Sequence, residues 1–342
     1  MLKVSTLLKG LILTFFIAII AMGVFFTVLK GHIDKTVPIS KAQLITIEPG
    51  SSFQKFTQQL VDNGWLEDPF WLKAYVRLFP NAAQIKAGTY YLPEKLTFKE
   101  LLFILVQGKE HQFEVTFIEG TTFKEWLNLL KKQPYLSHLL GDKSPEEIAN
   151  LLGIEQKNPE GWFFPDTYAY TANTSDLTLL KRAHQKMLTT LAQVWQERDE
   201  NLPYENAYQV LVMASIIEKE TSKREEQPVI AGVFINRLRK NMRLQTDPTV
   251  IYGLGERYQG DIKRTHLKEK TAYNTYRIKG LPPTPIAMPG ISALKASVHP
   301  AQTDFLYFVS QGNGYHVFSA TLKEHNQAVR QYLLQSKAKN KQ

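Results

Sequence analysis

The stretch Asn206–Thr221 reads NAYQVLVMASIIEKET, and the spacing of its apolar residues predicts a helix. At about 100° of rotation per residue, one face of that helix carries Val210, Met213, Ala214, Ile217 and Thr221. Glu218 and Glu220 border this face from opposite sides, whereas Lys219 points away from it. The stretch therefore predicts a core helix with two carboxylates at the edge of an apolar face.

Glu218 is the candidate general acid on this helix. Its one-turn neighbours include Ala214, Ser215 and Thr221, which are small, so we expect the carboxyl group to be partly desolvated. Desolvation disfavours the charged form and raises the pKa, as a general acid that works near neutral pH requires. The pattern also fits an ordinary solvated helix glutamate, and this alternative stays open.

Downstream of the helix, polar residues lie on loops rich in turns and prolines. Hydroxyl, amide and aromatic groups on rigid loops suit a carbohydrate cleft, where hydrogen bonds orient the sugar and aromatic rings stack on its apolar faces. The candidate substrate-binding residues are Ser215, Glu226, Asn236, Gln245, Thr246, Asp247, Tyr252, Asn274 and Tyr276. Segments 305–309 and 315–318 flank a glycine-containing turn and predict a β-hairpin, followed by a helix over 322–334. His316 in this hairpin is expected to hydrogen-bond within the fold.

Upstream of the helix, a strand–turn–helix pattern recurs. Residues 46–56 are echoed by residues 116–126, and both Ser51…Gln54 and Thr122…Glu125 have the spacing of a capping box. These units predict an α+β fold with a small module before a second element. The aromatic segment 160–170 (GWFFPDTYAY after Glu160) is expected to pack in the core, with a sugar-stacking wall as the alternative.

Near the N-terminus, Gly10–Leu29 is a run of twenty residues without a charge, long enough to span a bilayer. A cleaved signal peptide would have a shorter apolar stretch followed by a small-residue cleavage site. The run therefore predicts a single transmembrane helix. The lysines on its two sides do not decide its orientation.

The amino-acid composition excludes several kinds of functional site. The 342 residues contain no cysteine, which excludes disulfides, thiolate metal sites and a cysteine nucleophile. Histidines are scattered and no nucleotide-binding or metalloprotease motif is present, so no cofactor and no metal are expected. The formal charge of +9 favours an anionic partner, but without an RNA-binding signature no nucleic acid is expected.

Several long segments, taken in order, resemble the YceG-like endolytic murein transglycosylases, the MltG family. They are EGWFFPDTYAYTANTSD (160–176), MASIIEKET (213–221), VFINRLRKNMRLQTDPTVIYG (233–253), AYNTYRIKGLPPTPIAMPG (272–290) and YHVFSATLKEHN (315–326). The resemblance implies a small LysM-like α+β module followed by a larger mixed α/β YceG-like catalytic domain. It places the catalytic glutamate of the family at Glu218.

The resemblance also implies an activity and a location. The expected reaction is endolytic cleavage of the MurNAc–GlcNAc β-1,4 bond of nascent peptidoglycan, leaving 1,6-anhydro-MurNAc ends and ending glycan elongation. The expected location is the inner membrane, with a cytoplasmic N-terminus and a periplasmic catalytic domain beside peptidoglycan synthases. The predicted division is a cytoplasmic tail 1–9, a transmembrane helix 10–29, a tether 30–42, the LysM-like module 43–110, the catalytic domain 111–336 and a basic tail 337–342.

Two other functions fit the same residues. A two-carboxylate peptidoglycan hydrolase would combine Glu218 with Glu226 or Asp247. An anchored, non-catalytic scaffold would bind peptidoglycan through the LysM-like module. The chemistry of the cleaved ends separates the first from a transglycosylase, and cleavage itself separates the second.

Overall fold

The computed structural model describes residues 2–339, with side chains described for residues 7–334. Met1 of the predicted tail 1–9 and residues 340–342 of the predicted tail 337–342 lie outside the described residues. The chain divides into two compact units between Phe113 and Glu114. Both units contain helices and short strands, which confirms the mixed α+β class.

The first unit combines a long apolar helix with a small α+β body. Its elements are α1 (Leu2–Ile33), β1 (Gln43–Ile47), α2 (Phe53–Asp62), α3 (Phe70–Leu78), β2 (Gly88–Leu92) and α4 (Phe98–Gln107). Strands β1 and β2 are antiparallel, with Gln43 opposite Leu92 and Ile47 opposite Gly88. Phe56, Leu60 and Leu101 fill the core between the pair and the helices.

Local capping decides where these helices begin. Helix α2 starts after Ser52, whose hydroxyl accepts the N–H of Lys55, so the predicted capping pair Ser51…Gln54 is wrong by one residue. Ser51 instead donates its N–H to Glu48 and closes the preceding turn. Helix α5 (Phe123–Leu130) of the second unit begins after Thr122, and Thr122 and Glu125 form the complete capping box that the spacing predicts.

The second unit is built around a central helix. Its helices are α5 (Phe123–Leu130), α6 (Pro145–Leu152), α7 (Asp176–Gln196), α8 (Ala207–Glu220), α9 (Gln227–Arg239), α10 (Asp247–Leu254), α11 (Arg264–Lys268), α12 (Ile291–Val298) and α13 (Leu322–Lys339). Its strands are β3 (Phe113–Thr116), β4 (Thr167–Tyr170), β5 (Tyr307–Ser310) and β6 (His316–Ser319). Strands β3 and β4 form one sheet, and β5 and β6 form the predicted antiparallel hairpin.

Helix α8 begins after Asn206, whose side chain accepts the N–H of Gln209 and caps the helix. Residues 210–217 are all buried, because α7, α9, α10 and α12 pack around the helix. The prediction of a single apolar face is therefore too narrow: Leu211 and Ile216, off that face, are buried as well. The first turn, residues 207–209, and the last turn, which carries Glu218, reach the surface.

Candidate active site

Glu218 lies at the end of α8 and is half-buried. Burial raises the pKa of its carboxyl group above the ordinary value, and the negative charge of Glu119 acts in the same direction. The backbone N–H of Gly290 opposes this shift by donating a hydrogen bond of 2.9 Å to Oε2. Burial and Glu119 thus favour the neutral acid, whereas the Gly290 N–H favours the carboxylate.

Gly290 is the cap residue at the start of α12. A helix N-terminus favours negative charge, so the Gly290 N–H stabilises the ionised form of Glu218. Within the described part of the chain, Oε1 of Glu218 has no hydrogen-bond partner, whereas Oε2 is occupied by Gly290. The two oxygens of the carboxyl group therefore differ, and Oε1 is the one available to a ligand.

Glu119 is a second carboxylate beside Glu218 and is not among the residues predicted from the sequence. It lies between β3 and α5, and forms an ion pair of 3.1 Å with Arg224. A Cβ at Gly290 would collide with the Glu119 carboxyl group, so this carboxyl and the Glu218 carboxyl both lie against the same glycine. The sequence feature that could have indicated Glu119 is its position directly before Gly120, in the turn of the repeated strand–turn–helix pattern.

Two loops are held together around this glutamate pair. The N–H of Gly120 donates to the carbonyl of Met288, and the N–H of Met288 donates to the carbonyl of Thr121, both at 2.9 Å. Lys219, which the helix pattern directs away from the apolar face, donates from Nζ to the carbonyl of Gly120 at 2.9 Å. These bonds fix the loop that carries Glu119 against the end of α8.

Glu220 anchors a polar cluster on another side of α8. The hydroxyl of Thr246 donates to its carboxyl group. Nearby, the hydroxyl of Tyr276 donates to Asp247 at 2.7 Å. Burial raises the pKa of Glu220 to about 7, and the charge of Asp247 adds to this shift, although Thr246, His316 and Arg237 oppose it. Of the predicted substrate-binding residues, Thr246, Asp247 and Tyr276 are therefore brought together here.

Gln245 is exposed beside this cluster and accepts a long hydrogen bond of 3.4 Å from Arg237. Its φ of 53° lies in the left-handed region, and its N–H donates to the carbonyl of Thr275. Gln245 and Asp247 are exposed predicted residues, so both are available to a ligand.

The other predicted residues support the framework. Ser215 is fully buried, donates to the carbonyl of Val212 and accepts the N–H of Ile286. Asn274 is buried and donates to three backbone carbonyls of the preceding turn. Both side chains are buried and bonded within the fold, so they hold neighbouring loops in place instead of contacting a ligand.

Three other predicted residues form hydrogen bonds between segments that are distant in the chain: Asn236, Glu226 and Tyr252. Asn236 donates to the carbonyls of residues 303 and 305. Glu226 accepts the N–H of His316 at 2.9 Å and contacts its ring at 2.8 Å, so His316 hydrogen-bonds within the fold as expected.

Tyr252 donates to Glu160, a buried carboxyl that also accepts the N–H of Phe123. Burial raises the pKa of Glu160 to about 7.

The aromatic segment 160–170 contains both a core residue and a partly exposed ring. Phe163 is fully buried and stacks on Phe123 with ring centroids 5.2 Å apart, as a core residue does. Trp162 is only partly buried and stacks on Tyr208 at 5.6 Å. Among the described side chains, no group of three or more metal-ligating residues is assembled.

A family model for the YceG-like family matches residues 45–331 of this sequence. The chain belongs to the YceG-like family. Its sequence is 31% identical over 307 residues to the endolytic murein transglycosylase of Bacillus subtilis (strain 168), covering 84% of each protein. It is 26% identical to the protein of that name from Streptococcus pneumoniae D39, covering 95% of this chain and 65% of that longer protein.

The YceG-like assignment extends to a solved structure. A 2.6 Å crystal structure of a yceG-like protein from Listeria monocytogenes matches this chain with a TM-score of 0.55 and 30% sequence identity. The match covers 84% of this chain and 99% of the Listeria chain. The YceG-like fold of the chain thus follows from sequence and structure together.

Proposed function

We propose that this YceG-like protein is an endolytic murein lytic transglycosylase in which Glu218 acts first as general acid and then as general base. The observation that carries the proposal is the half-buried Glu218, whose carboxyl is raised in pKa yet accepts a hydrogen bond on one oxygen only. Relatives of the chain bear the name endolytic murein transglycosylase, which makes the chain an enzyme of this class. The substrate is then the MurNAc–GlcNAc β-1,4 bond of peptidoglycan strands.

The geometry of Glu218 suits both proton transfers. With Oε2 held by Gly290, the proton of the neutral acid is carried on Oε1 and passes to the glycosidic oxygen as the C1–O bond breaks. The resulting carboxylate then takes the proton of the MurNAc C6 hydroxyl while that oxygen bonds to C1. The product is a 1,6-anhydro end, no water is consumed, and Glu218 returns to its neutral state.

Glu119 and Arg224 are proposed to set the pKa of Glu218. Glu119 raises it and Arg224 lowers it, so the ion pair between them balances the acid and base roles. The predicted partners for a two-carboxylate hydrolase, Glu226 and Asp247, are instead engaged by His316 and Tyr276. Should a hydrolase operate, Glu119 would be a second carboxylate beside Glu218.

Mass spectrometry of digested glycan strands tests the proposed reaction. A transglycosylase leaves anhydro ends, whereas a hydrolase leaves reducing ends that are heavier by one water. Anhydro ends are the expected result. Reducing ends would contradict the transglycosylase, and binding without any cleavage would favour the non-catalytic scaffold.

Two charge-removing variants are expected to shift the pH dependence in opposite directions. Glu119→Gln removes the negative charge that raises the pKa of Glu218, so the acid loses its proton at lower pH and the alkaline limb of activity moves to lower pH. Arg224→Gln removes a charge that lowers this pKa, so the same limb moves to higher pH. The rate of anhydro-end formation measured against pH checks both.

The two variants control for each other, because each breaks the same ion pair. If the two variants acted only by breaking the ion pair, their profiles of activity against pH would shift in the same direction. Equal shifts in one direction would therefore contradict an electrostatic role for Glu119. Arg224 is exposed and Glu119 is partly exposed, so solvent screens both charges and we expect several-fold rather than larger changes at neutral pH.

The remaining proposals concern the first unit. Helix α1 contains one segment, Leu7–Ile33, that is long and apolar enough to cross a membrane among the described residues. We place it as a single anchor in the inner membrane, with the second unit periplasmic beside peptidoglycan synthases. The order β1–α2–α3–β2, with its antiparallel pair, supports a LysM-like, glycan-binding role for the body of this unit.

A further inference from the structure

Helix α1 and helix α3 meet at one aromatic contact in the first unit. The ring of Trp71 on α3 stacks on His32 of α1 with centroids 4.9 Å apart, and it contacts Phe25 at 5.9 Å. Phe70 packs edge-on against Trp71 at 5.1 Å. These contacts fix the start of α3 beside the last turns of α1.

The exposure of α1 changes at the same level. Leu29 and Ile33 are 2% and 3% exposed because they pack into the core of the first unit. Phe26, less than one turn before Leu29, is 45% exposed, and the preceding apolar residues of the helix are exposed as well. If α1 crosses a bilayer, its lipid-facing part therefore ends between Phe26 and Leu29.

Trp71 spans this boundary. Phe25 and Leu29 are four residues apart, which is about 6 Å along a helix axis, so a ring in contact with Phe25 lies near the membrane surface. Phe70 beside it is 56% exposed although its ring is apolar. Lys73, one turn further along α3, is also exposed. Aromatic rings and a lysine at one depth are typical of the membrane–water interface.

We propose that Phe70, Trp71 and Lys73 form an interfacial edge that inserts into the headgroup region of the bilayer. The inference rests on the proposed anchoring by α1. The rings of Phe70 and Trp71 would lie at the boundary with the acyl chains and Lys73 among the headgroups. Two carboxylates, Glu67 and Asp68, precede the edge, and Asp68 accepts the N–H of Phe70, so the edge inserts through its rings and not through net positive charge.

The absence of cysteine from the sequence allows a site-specific test. Single-cysteine variants of the full chain, labelled with an environment-sensitive fluorophore, are placed in nanodiscs containing lipids with a nitroxide at the headgroup or deep in the acyl chain. The positions are Phe70→Cys and Lys73→Cys for the edge, Val24→Cys for the anchor and Tyr91→Cys as control. Tyr91 is exposed on β2 and stacks on His111, not on α1.

We expect the deep nitroxide to quench Val24→Cys and the headgroup nitroxide to quench both edge positions several-fold more than Tyr91→Cys. Quenching at Val24 with edge positions no different from Tyr91 would overturn the interfacial edge and leave the anchor intact. A lack of quenching at Val24 would overturn the anchor and the edge with it. Lys73→Cys keeps both rings, so its result stands even if Phe70→Cys disturbs the edge.

Discussion

Replacing Glu218 with Gln is expected to lower the rate of anhydro-end formation by about 10²–10⁴-fold, the range that one general acid–base group contributes. Glutamine has nearly the same volume and can still accept the Gly290 N–H, but it can neither donate nor take up the proton that the reaction moves. The measurement is the rate of anhydro-end formation on purified glycan strands, with strand binding followed separately. Binding is expected to persist.

Glu197→Gln is a matched control, because Glu197 is an exposed glutamate at the end of α7 that contacts only a neighbouring glutamine side chain among the described residues. It should retain full activity.

The stability of Glu218→Gln has its own pH dependence. Because burial raises the pKa of Glu218 in the folded protein, ionisation costs the wild type stability as pH rises through that pKa, and the glutamine variant escapes this loss. A fully active Glu218→Gln enzyme would remove Glu218 from the mechanism.

Replacing Arg237 with Met is expected to have the largest effect on stability, about 2–4 kcal/mol in the free energy of unfolding. The guanidinium group is buried and donates to the carbonyls of Leu306 and Leu244 at 2.6 and 2.7 Å. Methionine fills similar volume but leaves both carbonyls without a donor. Since these bonds join hairpin β5–β6 to the loop before α10, the position of Thr246 against Glu220 should also loosen.

Thermal unfolding of the full chain in nanodiscs measures this effect, and a lower midpoint for the second unit is expected. Arg239→Met is the matched control: Arg239 lies two residues further along α9, is exposed, and donates to the carbonyl of Asn201 at 3.1 Å. Its midpoint should stay close to that of the wild type. Equal midpoints for the two variants would show that the buried hydrogen bonds of Arg237 contribute little.

Helix starts are the features that the sequence predicts best. Thr122 caps α5 as expected, because a cap is made by groups within three residues of each other. The predicted hairpin is present for a similar reason, since its strands are joined by a short glycine-containing turn. The error at Ser51 and Ser52 has the same origin: two adjacent serines offer the same group, and only the turn before them decides which one caps.

Side-chain roles in the second unit are predicted less well. The sequence predicts Glu218 at the edge of a core, and in the structure it is half-buried at the end of α8. It does not reveal that Ser215, one turn earlier, is fully buried and holds Ile286. It also misses Arg237, since a buried arginine bonded to backbone carbonyls has no pattern of its own along the chain.

The sequence by itself determined the α+β class, the apolar N-terminal helix, the family and the glutamate on which the proposed chemistry depends. The tertiary structure decided which groups surround that glutamate. Arg224 is close to Glu218 in the chain, whereas Glu119 lies 105 positions before Arg224 and is held at the site by the bonds of the Gly120 loop to Met288 and Lys219. Periodicity and capping depend on residues that are close together in the chain, so the sequence predicts them. The electrostatic potential at a carboxyl group depends on segments that only packing brings within a few ångströms of it.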